Sequence, residues 1–303
     1  MSKLLTAGFS RVFKKKTFYI CLIIMAVNGV LNALSIYSDK ALGYNSTLDS
    51  IFFEYVPFIP ILMSVFCALF IGTEYSDGTM RNKIVSGHKR STIYLSNFII
   101  CAAAGLMMCG AYFITYLGLG IPLVGFFTEA IIALVGCSAA LLLAVTGIFT
   151  LIALTVKSKS ASAVISIILA FTMIFVAGIL YSLLQQPEYY HEYGYIGMDY
   201  QDDATSDNYE FGLHMEFNME EMNPLDSDNN AAEPELIPNP SYISGVKRQI
   251  YQFILDFTPG GQSILISSRD VSNPLLLAGY SIIIISVVTT AAGLIKFNKM
   301  NLN

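Results

Sequence analysis

Six long apolar stretches constrain the fold of this chain more than any other feature of its sequence. A helix of about 20 mostly apolar residues spans a hydrocarbon core of about 30 Å, because it satisfies its own backbone hydrogen bonds where lipid offers no partner. The sequence therefore predicts an all-α integral membrane protein with six transmembrane helices. The stretches occupy residues 17–37, 51–71, 93–120, 127–156, 161–184 and 274–297.

The overall composition supports a membrane protein. Hydrophobic residues make up 54% of the 303 residues, charged residues make up only 13%, and the mean hydropathy is +0.59. A soluble domain of this size could not bury so much apolar surface. The apolar stretch at 17–37 is longer than the core of about 7 to 15 residues in a cleaved signal peptide, so we interpret it as a retained span.

The distribution of Lys and Arg predicts the orientation of the chain. Short loops rich in these residues stay in the cytoplasm, and 13 of the 17 lie in the N-terminal segment, the second and fourth connections and the C-terminal end. We therefore expect a multi-pass membrane protein with both termini in the cytoplasm. Spans one to five then fall within 17–184, an extracellular insertion occupies 185–273, and the sixth span and a cytoplasmic tail occupy 274–303.

The predicted extracellular insertion is strongly acidic. It holds 16 Asp and Glu residues against three basic residues. A negative field of this density raises the local concentration of cations, including cationic peptides. The alternative is that its central part, 200–235, is a solvated and partly disordered segment whose charges only keep it soluble.

Two amphipathic helices are predicted at the membrane surfaces. One occupies residues 1–16, where Lys and Arg flank an apolar face and favour a helix lying on the cytoplasmic surface. The other occupies 243–257, ends before Pro259, Gly260 and Gly261, and is expected on or in the outer leaflet. The apolar positions are Leu5, Phe9, Val12 and Phe13 in the first helix and Ile250, Phe253, Ile254 and Phe257 in the second.

The connection between spans two and three, residues 72–91, reads GTEYSDGTMRNKIVSGHKRS. Asp77 is expected to cap a short helix over 79–85, and Gly87 is expected to end it in the left-handed conformation. One face of this helix carries an apolar pair flanked by cations, which predicts a contact surface for another protein. The alternative is a hydrophilic loop that only follows the positive-inside rule. The residues of that face are Met80, Arg81, Lys83 and Ile84.

The order of these elements resembles the type-2 ABC transporter permeases. The resemblance rests on the surface helix, the six spans, the stretch LDFTPGGQ at 255–262 and a motif of the form Glu-x-x-x-Gly-Thr-x-Arg after the second span, followed by Gly and basic residues. In this chain the motif positions are Glu74, Gly78, Thr79, Arg81, Gly87 and Arg90.

The resemblance implies a membrane subunit that works with other chains. It implies two cytoplasmic ABC ATPase subunits, which bind ATP and Mg²⁺, and a second permease subunit, either an identical copy or a related chain. It also implies a location in the bacterial plasma membrane and export, with hydrolysis coupled through helix 79–85 and the surface helix. The coupling residues that it implies are Glu74, Gly78, Thr79, Met80, Arg81, Lys83, Ile84, Gly87 and Arg90. The substrate suggested by the acidic insertion is an amphipathic or cationic peptide, such as an antimicrobial peptide.

The chain is not itself expected to be an enzyme. It lacks the Gly-x-x-x-x-Gly-Lys-Ser/Thr loop that binds nucleotide phosphates, so we expect no cofactor in this chain. Its three His residues are scattered and its Asp residues do not form a calcium-loop pattern, so we expect no metal site. We also expect no nucleic-acid partner. Its five Cys residues fall within spans without a Cys-x-x-Cys pair, and we interpret them as packing residues.

Four polar residues within or near the spans are candidates for a substrate pathway, because such groups are costly at membrane depth. Two carboxylates could bind a cationic substrate or relay protons, or they could reach the solvated headgroup region. Two amides share one helical face and are typical of hydrogen bonds between helices. The alternatives to an ABC permease are a proton-driven secondary transporter that uses the carboxylates and a membrane sensor that captures a ligand with its acidic segment. The candidates are Glu54, Glu129, Asn28 and Asn32.

Overall fold

The computed structural model describes residues 1–44, 46–127, 131–156, 158–191 and 236–288. The described chain is mostly helical and forms two compact units, one made of Met1–Gln185 with Ile243–Asn303 and the other of Gln186–Tyr242. The helices of the first unit are α1 (Ser2–Val12), α2 (Lys16–Ala41), α3 (Phe58–Ser76), α4 (Thr79–Val85), α5 (Arg90–Val124), α6 (Ile132–Thr155), α7 (Lys159–Leu184), α8 (Gly245–Phe257), α9 (Pro259–Ser267) and α10 (Pro274–Ser286).

Five helices in the described part of the chain are long and apolar enough to cross a membrane: α2, α3 with the 3₁₀ turn Phe52–Tyr55 before it, α5, α6 and α7. They coincide with the first five predicted spans, so the chain is a multi-pass membrane protein. Helix α10 is shorter and covers only the first part of the predicted span 274–297, whose remainder from residue 289 lies outside the described residues.

Helix α3 is the centre of the bundle. It is the most buried of the five spans and contacts α2, α5, α6 and α7. Helices α2 and α7 are the least buried and leave long apolar side chains exposed. All five Cys residues are buried and free, which confirms that they pack in the interior.

Tyrosine hydroxyl groups fix the turn that precedes α3. The hydroxyl of Tyr112 donates to the carbonyl of Phe52 at 3.0 Å, and that of Tyr116 donates to the carbonyl of Leu48 at 2.7 Å. Tyr55 and Ser138 share a further hydrogen bond of 2.7 Å. The bonds of Tyr112 and Tyr116 satisfy backbone carbonyls of an irregular segment that is buried among aromatic rings.

The helix predicted at 243–257 is present as α8, which ends at Phe257 before Pro259, Gly260 and Gly261, as predicted. These three residues form the first turn of α9, which is almost fully buried. A Cβ on Gly260 would collide with the backbone carbonyl of Met173 in α7, so the glycine permits a close approach of the two helices.

The second unit contains a small sheet, which the all-α prediction did not include. Strands β1 (Tyr189–His191) and β2 (Leu236–Pro238) pair antiparallel, with Tyr189 opposite Pro238. Asn239 supports the pair, because its side-chain amide donates to the carbonyl of Pro187 at 2.8 Å. The central acidic stretch 200–235 lies outside the described residues.

The contact between α2 and α5 predicts a strong effect of a single methyl group at Gly29. A Cβ at this position would lie 2.8 Å from the carbonyl oxygen of Tyr112 and would also collide with the hydroxyl of Thr115. We expect Gly29→Ala to lower the free energy of unfolding by about 1 to 3 kcal/mol, because α2 must move away from α5. Thermal unfolding of the purified protein in detergent measures the change.

Gly110→Ala in α5 is the matched control, because a Cβ at Gly110 meets no atom within 4 Å. It should leave the melting temperature unchanged or raise it slightly, since alanine favours a helix by about 0.5 to 1 kcal/mol over glycine. Equal melting temperatures for the Gly29→Ala variant and the unchanged protein would contradict the close packing of α2 on α5.

Candidate functional site

The structure confirms the short helix predicted in the connection between α3 and α5. Helix α4 covers Thr79–Val85, as predicted, and Gly87 follows it with φ +80° in the left-handed conformation. The prediction that Asp77 caps the helix is wrong. The N-cap is Gly78 with φ +67°, a conformation that residues with a Cβ adopt only at a cost of about 1 to 2 kcal/mol.

A carboxylate buried at the end of α3 binds side chains from three other helices. Both oxygens of Glu74 accept hydrogen bonds from Lys83 Nζ of α4, at 2.7 and 2.8 Å. Arg11 Nη2 of α1 donates to Oε1, and Asn97 Nδ2 of α5 donates to Oε2 at 3.4 Å. We call these four residues the Glu74 cluster, and through it one carboxylate joins α1, α3, α4 and α5.

The charges of the Glu74 cluster explain why these helices meet. The Glu74 side chain is fully buried, whereas the side chains of Arg11 and Lys83 are 31% and 18% exposed. A buried carboxylate costs several kcal/mol unless it is paired and hydrogen-bonded, and here two cations compensate it. Burial lowers the pKa of Lys83, and the adjoining Glu74 carboxylate opposes that shift. The Arg11 guanidinium also lies 5.1 Å from the ring centre of Phe70.

The last turn of α3 also contacts the ends of α6 and α7. The hydroxyl of Tyr75 donates to the carbonyl of Leu154 in α6 at 2.5 Å. A Cβ on Gly72 would lie 3.0 Å from the Cα of Lys159, the first residue of α7. The hydroxyl of Thr79 donates to the backbone carbonyl of Glu74 at 3.1 Å. Helix α4 is therefore joined to α3 by this hydrogen bond as well as by the ion pair of Lys83 with Glu74. Helix α4 is therefore linked through the last turn of α3 to the ends of α6 and α7.

The structure corrects the expected outer face of α4. Met80 is only 2% exposed and packs against its own chain, and Ile84 is half-buried. The apolar pair therefore anchors the helix and does not form the predicted contact surface. The opposite face is exposed, with Val85 at 79%. We call it the α4 outer face, and it comprises Arg81, Asn82, Val85 and Ser86.

Sequence reasoning missed two members of the Glu74 cluster. Arg11 is one of the cations that flank the apolar face of residues 1–16, and Asn97 lies within the predicted third span. The available signal was the helical pattern of residues 1–16, which places Arg11 beside an apolar face. Arg90, a predicted coupling residue, is the first residue of α5.

The four candidates for a substrate pathway lie away from the Glu74 cluster or outside the described residues. Asn32 Nδ2 donates to Asn28 Oδ1 at 3.4 Å and to the hydroxyl of Tyr112 in α5 at 3.2 Å, which confirms a hydrogen bond between helices. Glu54 is exposed in the 3₁₀ turn before α3. Glu129 lies outside the described residues.

Comparison with known proteins defines the class of the chain. Residues 7–196 match the sequence model of a family described as ABC-2 family transporter protein. The match covers more than half of the chain and includes the second half of α1, the Glu74 cluster and five spans, so the chain belongs to this family. It is a permease component of an ABC transporter, and the family implies association with an ABC ATPase subunit. Comparisons with curated proteins and with solved structures gave no match.

The Glu74 cluster predicts that Glu74→Gln loosens α1 and α4. A neutral amide keeps the shape of the side chain but leaves two cations without their counter-charge, at a cost of about 2 kcal/mol. We expect faster hydrogen exchange at backbone amides of α1 and α4, measured by mass spectrometry, while the middle of α3 stays protected.

Asp77→Asn is the control, because Asp77 is an exposed carboxylate three residues further along the chain. It should change the free energy of unfolding by no more than about 0.5 kcal/mol. Unchanged exchange in the Glu74→Gln variant would show that the carboxylate does not hold these helices.

Proposed function

We propose that this chain is the membrane-spanning subunit of an ATP-driven exporter and that α4 transmits the movement of a separate ATPase subunit to the spans. The observation that carries the proposal is the exposed α4 outer face on a helix that Glu74 ties to three others. A passive loop does not need an anchored helix with one face free.

The contacts around α4 suggest a route for the movement. The ATPase subunit, with ATP and Mg²⁺ bound, pushes on the α4 outer face. Since Met80 is buried and Lys83 is bonded to Glu74, α4 moves as one body with the end of α3. Helix α3 is the most buried span, so its tilt changes the packing of the helices around it. The path of the substrate opens as a result.

The proposed assembly has six spans with both termini in the cytoplasm, which places α1 and α4 on the side of the ATPase. The positive-inside distribution of Lys and Arg supports this orientation. A second permease subunit completes the transporter. The exposed apolar faces of α2 and α7 offer surface for that subunit as well as for lipid.

Val85→Asp tests the role of the α4 outer face. A carboxylate in the centre of the proposed contact should weaken binding of the ATPase subunit by about tenfold or more, because an apolar contact is lost and a charge is desolvated. The measurement is co-purification with a nucleotide-binding subunit encoded by a neighbouring gene, together with the ATP hydrolysis of the reconstituted complex.

Val246→Asp is the matched control, because Val246 is 70% exposed and lies in α8, which the proposal places on the opposite side of the membrane. It should leave binding of the ATPase subunit unchanged. Normal binding and hydrolysis in the Val85→Asp variant would refute α4 as the site of contact.

For the substrate we propose an amphipathic or cationic peptide that the acidic insertion attracts. The support is compositional, since 16 of the 22 acidic residues fall within 185–273. Opposite charge raises the rate of encounter and is screened by salt. The exposed Glu54 adds one carboxylate to the side of the membrane where the insertion is proposed to lie.

Deletion of residues 200–235 tests the peptide proposal. In proteoliposomes containing the ATPase subunit, cationic peptides should stimulate hydrolysis by the intact permease, and the deletion should remove most of that stimulation at low salt. Basal hydrolysis is the internal control and should persist. Stimulation by small drugs or lipids, with no response to any cationic peptide, would rule out a peptide substrate.

A further inference from the structure

A cavity of about 290 Å³ lies beside the end of α3, between the start of α2 and the start of α7. Its floor is one face of α3, where Phe66, Leu69, Phe70 and Thr73 follow each other at helical spacing. Helices α2 and α7 each contact α3 but stand on either side of this face. The cavity is therefore a groove with an apolar floor at one end of the bundle.

The rim of the groove is strongly basic. Four Lys side chains line it: Lys14, Lys15 and Lys16 on the α2 side and Lys159 on the α7 side. Among the described residues that line the groove there is no Asp or Glu. Glu74, the nearest acidic residue along α3, is fully buried and already bonded to Arg11 and Lys83. The positive charge at the rim is therefore not neutralised by the residues of the groove itself.

Two helix N-termini add to this field. Lys16 begins α2, whose first turn has no side-chain cap, and Lys159 begins α7, where the Ser158 hydroxyl accepts a hydrogen bond from the N–H of Ala161. The first backbone N–H groups of a helix carry partial positive charge and favour an anion. The close packing of Gly72 against Lys159 holds the start of α7 beside α3, so this terminus keeps its place on the groove.

We infer that this groove binds an anionic phospholipid, with the phosphate headgroup among the four lysines and an acyl chain on the α3 floor. The combination of charge and apolar surface selects this ligand. A free phosphate would leave the apolar floor uncovered, and a neutral lipid would leave the lysine charges without a counter-charge. Exposed apolar side chains continue from the groove along both walls. They include Ile20 and Ile23 in α2 and Val164 and Ile168 in α7.

Because the chain contains no tryptophan, the fluorescence of one introduced tryptophan reports on its own position alone. A single Leu69→Trp substitution places a fluorophore on the floor of the groove. In phosphatidylcholine nanodiscs, a small fraction of phosphatidylglycerol with brominated acyl chains should quench it more strongly than the same fraction of brominated phosphatidylcholine. In a Leu31→Trp variant, whose probe is exposed on α2, the two brominated lipids should quench equally.

The basic rim is tested by Lys16→Gln with Lys159→Gln, which removes one charge from each wall. We expect the preference for phosphatidylglycerol to fall by about tenfold. Lys3→Gln with Lys89→Gln is the matched control, because it removes the same charge from exposed positions that do not line the groove. It should retain the preference.

Three results would overturn the inference. One is equal quenching of the Leu69→Trp probe by the two brominated lipids, together with equal retention of the two lipids by the unsubstituted protein in native mass spectrometry. Another is loss of the preference when excess inorganic phosphate is added, which would assign the groove to a free anion. The third is an unchanged lipid preference in the Lys16→Gln, Lys159→Gln variant with loss of ATPase-subunit binding, which would assign the lysines to a protein partner.

Discussion

The pairing of the buried Glu74 carboxylate with two cations determines how one end of this bundle is assembled. The carboxylate cannot remain ionised in the interior without compensation, and its own helix offers no cation near it. The cations come from Arg11, 63 residues earlier, and Lys83, nine residues later. Satisfying one charge therefore requires that α1 and α4 both bring a cation to the end of α3, where their side chains bind the same carboxylate.

The two ends of α3 are fixed by different kinds of contact. Near the 3₁₀ turn, buried tyrosine hydroxyls bond to backbone carbonyls among packed rings, and breaking such bonds leaves unsatisfied groups in the interior. At the Glu74 end, the cations are partly exposed and water can reach them. Local movement costs less where water can replace a partner. The ion pairs of the Glu74 end are therefore more accessible to water than the tyrosine bonds at the 3₁₀ turn.

The limits of sequence reasoning follow from the range of each interaction. Hydropathy is a local property, and it located five spans to within a few residues. The left-handed Gly87 is also a local signal, and it located the end of α4, whereas the start is capped by Gly78 and not by Asp77 as predicted. The burial of Met80 was not predictable, because a helix of two turns shows the same spacing whether its apolar side faces inward or outward. The contact of Arg11 with Glu74 and the role of Gly260 depend on distant segments, which no local pattern encodes.

The groove and the Glu74 cluster meet at Phe70 on the groove floor, and this has an electrostatic consequence. Phe70 lines the groove, and the Arg11 guanidinium lies over the same ring. Arg11 and Lys14 to Lys16 place four positive charges in one short segment. Glu74 neutralises only the inner part of this charge, that of Arg11, and the three lysines form the outer part. An anionic headgroup in the groove would neutralise the outer part and so favour the docked position of α1. The stability of the end that carries α4 would then depend on the charge of the surrounding membrane, independently of any substrate.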